Sequence, residues 1–304
     1  MPQFPKARDY GFMGLSPHTC YRILIWMINT LPESTVYWIA RRLAEYRYFT
    51  DRVGREAVRH NLRLILSGRA VPGWEKVRLT REVFYQTGYY LAEFLGQRRF
   101  AAKFRRPEQA EIKGLQYIDP HLERGRGVLI ISAHYSNWEL GAAVMAARGY
   151  EVYVTSLEHE DPRNDVLFNY LRSVWGYHHM PINESVTLSI KNLRAGKVVC
   201  YLGDRPSAFG LTEAEFFGRR EVFPVVPARM ALKAGAAFVP GIVRRFGRNR
   251  FLVEFYPEIE PPATGTEKER AGAMVQRYVR WLEDRIREDP GQWVRYTPIG
   301  SGRP

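Results

Sequence analysis

From residue 107 onward, short apolar runs alternate with longer amphipathic stretches, and this alternation restricts the fold more than any other feature of the chain. The strand-like runs are 128–131, 152–155, 198–202, 238–242 and 251–255. Helical spacing fills 138–148, 162–175, 185–195 and 225–235, and a last amphipathic helix is predicted over 267–288. Gly149, Gly176, Gly196 and Gly235 each stand where a helix should stop. Strands separated by helices imply an α/β unit, its mainly parallel or mixed sheet flanked by helices.

The preceding hundred residues obey a different rule. Residues 17–100 read as helical: Pro32 ends one helix, residues 33–35 can start the next, and apolar residues recur at intervals of three and four from Val36 to Leu66. That stripe is Ile39, Leu43, Tyr46, Val53, Ala57, Leu62 and Ile65, with arginines on the opposite face. A further helix is predicted from about Trp74 to Phe94. Residues 97–106, QRRFAAKFRR, suit either a solvated helix end or a surface for phosphates. The division that follows is a helical, membrane-associating region over 1–106 and an α/β core over 107–304 that integrates with it.

Charge narrows the partners. The 45 Lys and Arg exceed the 32 Asp and Glu, for a formal net charge of +13. Such an excess draws polyanions: nucleic acid, anionic lipid headgroups or phosphorylated co-substrates. Cys20 and Cys200 are the only cysteines, too few for a disulfide framework or a zinc site. The first 14 residues carry two prolines and no apolar signal core. No run reaches the ~18 apolar residues of a membrane span. Residues 23–28, ILIWMI, suit a buried helix or one lying in a membrane interface, where Trp26, Tyr37 and Trp38 fit the headgroup level.

The stretch 127–141, GVLIISAHYSNWELG, concentrates the chemistry. A buried run ends at Ser132, and His134 follows it at the carboxyl edge of a strand, where open α/β sheets bind their ligands. Glu139 lies early in the next helix and can turn back to the imidazole; a carboxylate on one ring nitrogen fixes the tautomer and frees the other nitrogen as general base. Such a pair needs no protein nucleophile if the attacking hydroxyl belongs to the substrate. The bland alternatives are a structural histidine, a glutamate favouring the helix dipole, and Asn137 as an N-cap only.

The same stretch resembles the H-x-x-x-x-D/E motif of glycerolipid and lipid A acyltransferases, and HYSNWELG resembles the bacterial lipid A secondary acyltransferases and their relatives, the phosphatidylinositol mannoside acyltransferases among them. Further blocks carry the likeness: Arg55, Ala57, Asn61 and Leu62; Asp161-Pro162-Arg163-Asn164 through Leu171-Arg172; YLGDRPSAFG followed by EFFGRREVFPVVPARMALKAGAAFVPG over 201–241; and Gln292-Trp293 near the end. The likeness runs from about residue 20 to 296.

The resemblance implies an O-acyltransferase that moves a fatty acyl chain from an acyl carrier protein or coenzyme A thioester to a lipid hydroxyl. His134 would be the general base and Glu139 its orienting partner. Arg172 matches the family's functional arginine, with Arg163 competing in the same block. Asp204 follows a buried strand and would pair with Arg172 or Arg205, holding a guanidinium for the acceptor's phosphate or the oxyanion. Asn137, Phe217 and Arg219 complete the candidate substrate contacts. No cofactor or metal is implied beyond the acyl co-substrate. The acceptor would be an anionic lipid or glycolipid, a lipid A precursor being the leading choice and a lysophospholipid or ornithine-type lipid the alternative. The expected place is the cytoplasmic face of the bacterial inner membrane, peripheral or monotopic.

Rival classes are weaker. Nucleic-acid binding would use the charge, but no such motif is present and the arginines are scattered. A serine hydrolase would need a Gly-x-Ser-x-Gly elbow, which Tyr135-Ser136-Asn137 does not supply. His178 and His179 are adjacent, without carboxylates at ligand spacing.

Overall fold

The computed structural model describes residues 16–156, 159–206 and 210–301. The opening residues read above for a signal sequence, and residues 207–209 of the third block, lie outside the described residues.

Five helices come first: α1 (Pro17–Thr30), α2 (Glu33–Thr50), α3 (Arg52–Ile65), α4 (Gly73–Leu95) and α5 (Gln97–Phe104). Pro32 separates α1 from α2 as expected. The periodic stretch from Val36 to Leu66 breaks at Asp51, whose carboxylate accepts from the Gly54 amide at 2.8 Å and so caps α3. The stripe itself divides. Ala57, Leu62 and Ile65 are buried, whereas Leu43, Tyr46 and Val53 face outward; α2 buries Val36, Tyr37, Ala40, Ala44 and Tyr48 instead. In α5 and just after it the basic run divides, with Arg98, Arg105 and Arg106 exposed and its other basic residues turned inward. Phe100 and Phe104 are fully buried, Lys103 pairs with Glu33 at 2.7 Å, and Arg99 donates to the carbonyl of Ile28 at 3.2 Å.

The α/β part carries β1 (Ala110–Lys113), β2 (Val128–Ser132), β3 (Val152–Ser156), β4 (His178–Pro181), β5 (Val198–Leu202), β8 (Ala237–Phe246) and β9 (Arg250–Phe255) in one sheet, ordered β1-β9-β8-β2-β5-β3-β4. Only the β8–β9 pair is antiparallel. A separate antiparallel hairpin, β6 (Leu211–Phe216) with β7 (Arg219–Pro224), stands apart from the sheet. The helices after the sheet begins are α6 (Asp119–Glu123), α7 (Trp138–Ala146), α8 (Pro162–Trp175), α9 (Ser185–Arg194), α10 (Val226–Ala234) and α11 (Glu267–Glu288).

Strand alternation divides the core between the two faces of the sheet. Leu129 and Ile131 of β2 join α3, α4, α10 and α11 on one side, while Val128 and Ile130 join α1, α2, α5, α7 and α8 on the other. The N-terminal helices are tied to the sheet by a buried ion pair: Arg245 of β8 donates two hydrogen bonds to Glu93 of α4, at 2.6 and 2.8 Å. Tyr37 Oη donates to the same carboxylate at 2.7 Å. Removing one partner of such a pair costs about 3–5 kcal/mol, because the other charge is stranded.

Candidate active site

The two central parallel strands build the site by their register. Ser132 at the end of β2 is paired with Leu202 at the end of β5. His134 and Asp204 each follow by two residues, so both arrive at the same carboxyl edge, side by side. Gly203 makes the approach possible: a Cβ there would stand 2.6 Å from the Ile131 side chain. Its amide donates to the Ser132 carbonyl at 2.8 Å, which fixes one loop against the other.

His134 Nδ1 lies 2.7 Å from Asp204 Oδ1. The other carboxylate oxygen accepts from Trp293 Nε1 at 3.0 Å. Burial alone would raise the Asp204 pKa, but His134, Arg205 and the Trp293 N–H together hold it far below the usual carboxylate range. An ionised carboxylate only accepts, so Nδ1 carries the proton and Nε2 of the neutral ring is left as the base. Burial, with the Arg205 charge second, lowers the His134 pKa, while Asp204 opposes the shift. The ring is therefore neutral at neutral pH, the form that a general base requires.

The segment after α11 locks this arrangement. Val294 N donates to the His134 carbonyl and Ser136 N to the Gln292 carbonyl, both at 2.8 Å. Gln292 is itself held, its side chain accepting from Arg245 N at 2.8 Å and donating to Arg245 O at 3.0 Å. Ser136 is fully buried with φ of 52°, so its hydroxyl faces the interior and not a substrate. The Gln292-Trp293 pair thus has a physical purpose that the sequence did not disclose.

The expected His134–Glu139 pair is not what the structure builds. Glu139 turns to the other side of α7, accepts from Tyr177 Oη at 2.5 Å and lies 3.7 Å from Arg172 Nε. Burial, and then the Glu139 charge, pushes the Tyr177 phenol well above its ordinary pKa, so it stays a donor. Nor does Asp204 pair with Arg172; that arginine belongs to Glu139, and Arg205 instead donates to the Val294 carbonyl at 2.6 Å.

A cavity of about 70 Å³ lies between α7 and the sheet. Its walls are mainly apolar (Ile130, Ala142, Met145, Val154, Val243 and Phe255), with Glu139 and Arg172 as charged exceptions. Trp138 belongs to both regions: it lines the cavity and meets the His134 ring edge-on at 4.9 Å, while Tyr90 of α4 stacks on it at 4.0 Å. Cys200 lines the same cavity, but burial, with Glu139 adding to it, pushes its thiol up to about 12, which removes the thiolate a covalent mechanism would use.

The remaining candidates fall elsewhere. Asn137 accepts from Leu140 N at 3.2 Å as the cap of α7 and donates to Glu93 at 2.8 Å, which occupies both ends of a buried amide. Arg163 is exposed and paired with Asp161 at 2.7 Å at the start of α8. Phe217 sits at the β6–β7 turn under the Arg287 guanidinium at 4.9 Å, and Arg219 opens β7 on the exposed side of that turn. Neither lines the cavity. It is Phe216, their neighbour, that packs on Trp293 at 5.6 Å. His178 and His179 point apart, one on Tyr153 and the other 2.6 Å from Ser156 Oγ. Among the described residues no three His, Cys, Asp or Glu side chains converge as a metal site requires.

Comparison with known proteins identifies the family. A family model described as bacterial lipid A biosynthesis acyltransferase matches residues 13–296. A phosphatidylinositol mannoside acyltransferase of Mycobacterium tuberculosis is 28% identical over 289 residues, covering 90% of this chain and 85% of its own. The enzyme of that name from Mycolicibacterium smegmatis is 23% identical, covering 63% of this chain and 62% of its own. An Escherichia coli lipid A biosynthesis lauroyltransferase is 24% identical, covering 88% of this chain and 90% of its own.

Proposed function

The chain belongs to the bacterial lipid A biosynthesis acyltransferase family, and on that premise we propose that it moves a fatty acyl chain from a carrier-protein or coenzyme A thioester to a hydroxyl of an anionic glycolipid. It is an acyltransferase; the donor, the acceptor, the acting residues and the membrane setting are part of the proposal. The observation that carries the reading is the buried His134–Asp204 pair, beside a mainly apolar cavity that shares Trp138 with it.

His134 Nε2 takes the proton from the acceptor hydroxyl as its oxygen attacks the thioester carbonyl. Asp204 keeps the ring in the required tautomer and balances the imidazolium that forms. The proton then passes to the departing thiolate as the tetrahedral intermediate collapses. Arg205 is close enough for its charge to depress the imidazole pKa, and the same field favours the oxyanion. The cavity suits the acyl chain, and Arg172, held by Glu139, is its one cation among the lining residues. Two relatives are named for phosphatidylinositol mannoside and for lipid A, which favours a glycolipid acceptor here. A lysophospholipid or ornithine-type lipid is the second choice.

The N-terminal helices suit a membrane surface. Trp26, Trp38, Phe49, Val53 and Trp74 are between 62% and 81% exposed, and α2 sets Trp38, Arg42, Tyr46 and Phe49 on one face. Aromatic rings at the headgroup level, with arginines among them, match an anionic leaflet. No helix among the described residues is long and apolar enough to cross a bilayer. With cytosolic donors, the reading is peripheral or monotopic attachment on the cytoplasmic face.

The test is radiolabelled acyl transfer by purified protein in detergent, with both donor types, offered a lipid A precursor, a mannosylated phosphatidylinositol and lysophospholipids. The expected result is an acylated glycolipid, lost about 10²–10⁴-fold in His134→Ala. Equal activity in His134→Ala and wild type, or no transfer by folded protein, rejects it.

A further inference from the structure

The β6–β7 hairpin takes no part in the sheet and lines no wall of the cavity under α7, yet it carries a buried charge. Its register pairs Thr212 with Phe223, Ala214 with Glu221 and Phe216 with Arg219, so strand alternation sets Ala214, Phe216, Glu221 and Phe223 on one face. All four are buried, and Glu221 is the ionisable exception among them. The hairpin is mounted on α11: Gln276 accepts from Glu215 N at 2.9 Å and donates to Glu215 O at 3.1 Å, and Glu283 accepts from Phe217 N. The turn residues Phe217 and Gly218 have φ of 48° and 72°, the left-handed pair that closes a two-residue hairpin loop.

Glu221 meets the buried Arg295 of the segment after α11. Its Oε2 accepts from Arg295 Nη2 at 2.8 Å and from Gly300 N at 2.9 Å. Arg295 Nε donates to the Thr297 carbonyl at 3.2 Å and hydroxyl at 3.1 Å. Its Nη1 donates to the Asp204 carbonyl at 3.4 Å, and its guanidinium lies 5.7 Å from the centre of the Trp293 indole. Phe216, on the same hairpin face as Glu221, packs edge-on against that indole at 5.6 Å. Both supports of the Asp204 carboxylate, its own backbone and the Trp293 N–H, therefore rest on the hairpin. Stability gives little reason for the ion pair, because apolar residues of similar volume in place of a buried pair are often neutral or stabilising. Placement gives a reason, since a shift of about 1 Å at a reacting group can cost about 10²-fold in rate.

We infer that Arg295, held by Glu221, is a positioning residue for the His134–Asp204 pair: it fixes Asp204 through that residue's carbonyl and through Trp293, and the β6–β7 hairpin is its mount. The inference rests on the role of His134 proposed above. Glu221→Gln combined with Arg295→Met removes both charges together, so neither is stranded. Its melting temperature should stay close to that of wild type, while kcat falls about tenfold, the worth of one hydrogen bond to a charged group, and KM holds. Histidine labelled with nitrogen-15 supplies an NMR readout that needs no transfer. The His134 Nδ1 proton, donated to Asp204, should resonate far downfield in wild type and move upfield or broaden away in the double variant. Arg295→Lys keeps the charge opposite Glu221 but cannot span Asp204 and Glu221 together, and gives the same two changes if the double variant melts early. Arg220→Met, at an exposed position of the same strand, should match wild type in both. Movement of the resonance while His134→Ala transfers as well as wild type would remove the transfer reading and leave the positioning standing. An unchanged kcat in both variants beside an inactive His134→Ala, an unmoved resonance, or an equal loss in Arg220→Met each overturns the inference.

Discussion

Two carboxylates compete for the role beside His134, and the protein uses them differently. Glu139 is five residues away in sequence, Asp204 seventy, yet it is Asp204 that reaches the imidazole. Asp204 is fully buried and its two oxygens are occupied by His134 and Trp293. Glu139 holds Tyr177 and Arg172 within the cavity wall. In the proposed mechanism one carboxylate controls a proton, and the other positions a cation. Proximity along the chain decides little here, because α7 carries Glu139 toward α8 whereas the parallel register of β2 and β5 carries Asp204 to the histidine.

The division of labour predicts unequal losses. Asp204→Asn can no longer accept from both donors with full charge and invites the wrong imidazole tautomer. We predict a fall in kcat of about 10²–10⁴-fold with KM little changed, read by steady-state transfer. An Asp204→Asn enzyme of near wild-type kcat would break the comparison. Glu139→Gln keeps the shape of the Arg172 contact and loses its charge. We predict about a tenfold to hundredfold fall in kcat/KM, carried mainly by KM, the worth of one hydrogen bond to a charged group. The acid limb of its pH profile should move only downward, because Glu139 is a weak raising influence on His134. A pure kcat effect equal to that of Asp204→Asn would mean that the glutamate takes part in proton transfer after all.

Much of this site was legible before any coordinates. His134 and Asp204 each follow a buried apolar run by two residues, VLIISAH and VVCYLGD, and that pattern alone puts both at a carboxyl edge. What the pattern could not reveal was strand order. Nothing in an apolar run says which other run lies beside it, so the Ser132–Leu202 register is invisible in the sequence and chain proximity favours the nearer carboxylate. The same limit hid β1, β4 and the β6–β7 hairpin, which are short or polar and lack a continuous apolar signal. Among the helices the lesson is reversed. The stripe Leu43, Tyr46 and Val53 has the period of a core face but points outward, because periodicity marks an apolar face without saying whether the protein itself covers it.

Trp293 offers a finer test of the Asp204 side. Its indole is the only described group besides His134 within hydrogen-bond distance of that carboxylate. Trp293→Phe keeps the packing against Phe216 and removes one N–H. We predict a fall in kcat of about threefold to tenfold, the net worth of one such bond, measured with melting temperature alongside to separate positioning from unfolding. Loss as large as in Asp204→Asn, without a change in melting, would make the indole an equal partner of the histidine.

The smallest expected effect is the most specific. His134 must be neutral to act, and its pKa is lowered by burial first and by Arg205 second, with Asp204 and Glu139 opposing. Wild-type activity should therefore hold through neutral pH and fall on acidification, as pH drops through a pKa below the ordinary histidine value. Asp204 stays ionised throughout, since its own pKa is depressed. Arg205→Met removes a cation that disfavours the imidazolium, so the ring becomes easier to protonate and the acid limb must shift to higher pH. Substitution at Asp204 or Glu139 moves the limb the opposite way, because each removes a negative charge that favours the imidazolium. The sign of the shift thus separates the groups whatever the size of the rate loss, and an acid limb that moves to lower pH in Arg205→Met would show that the guanidinium does not act on His134 through its charge.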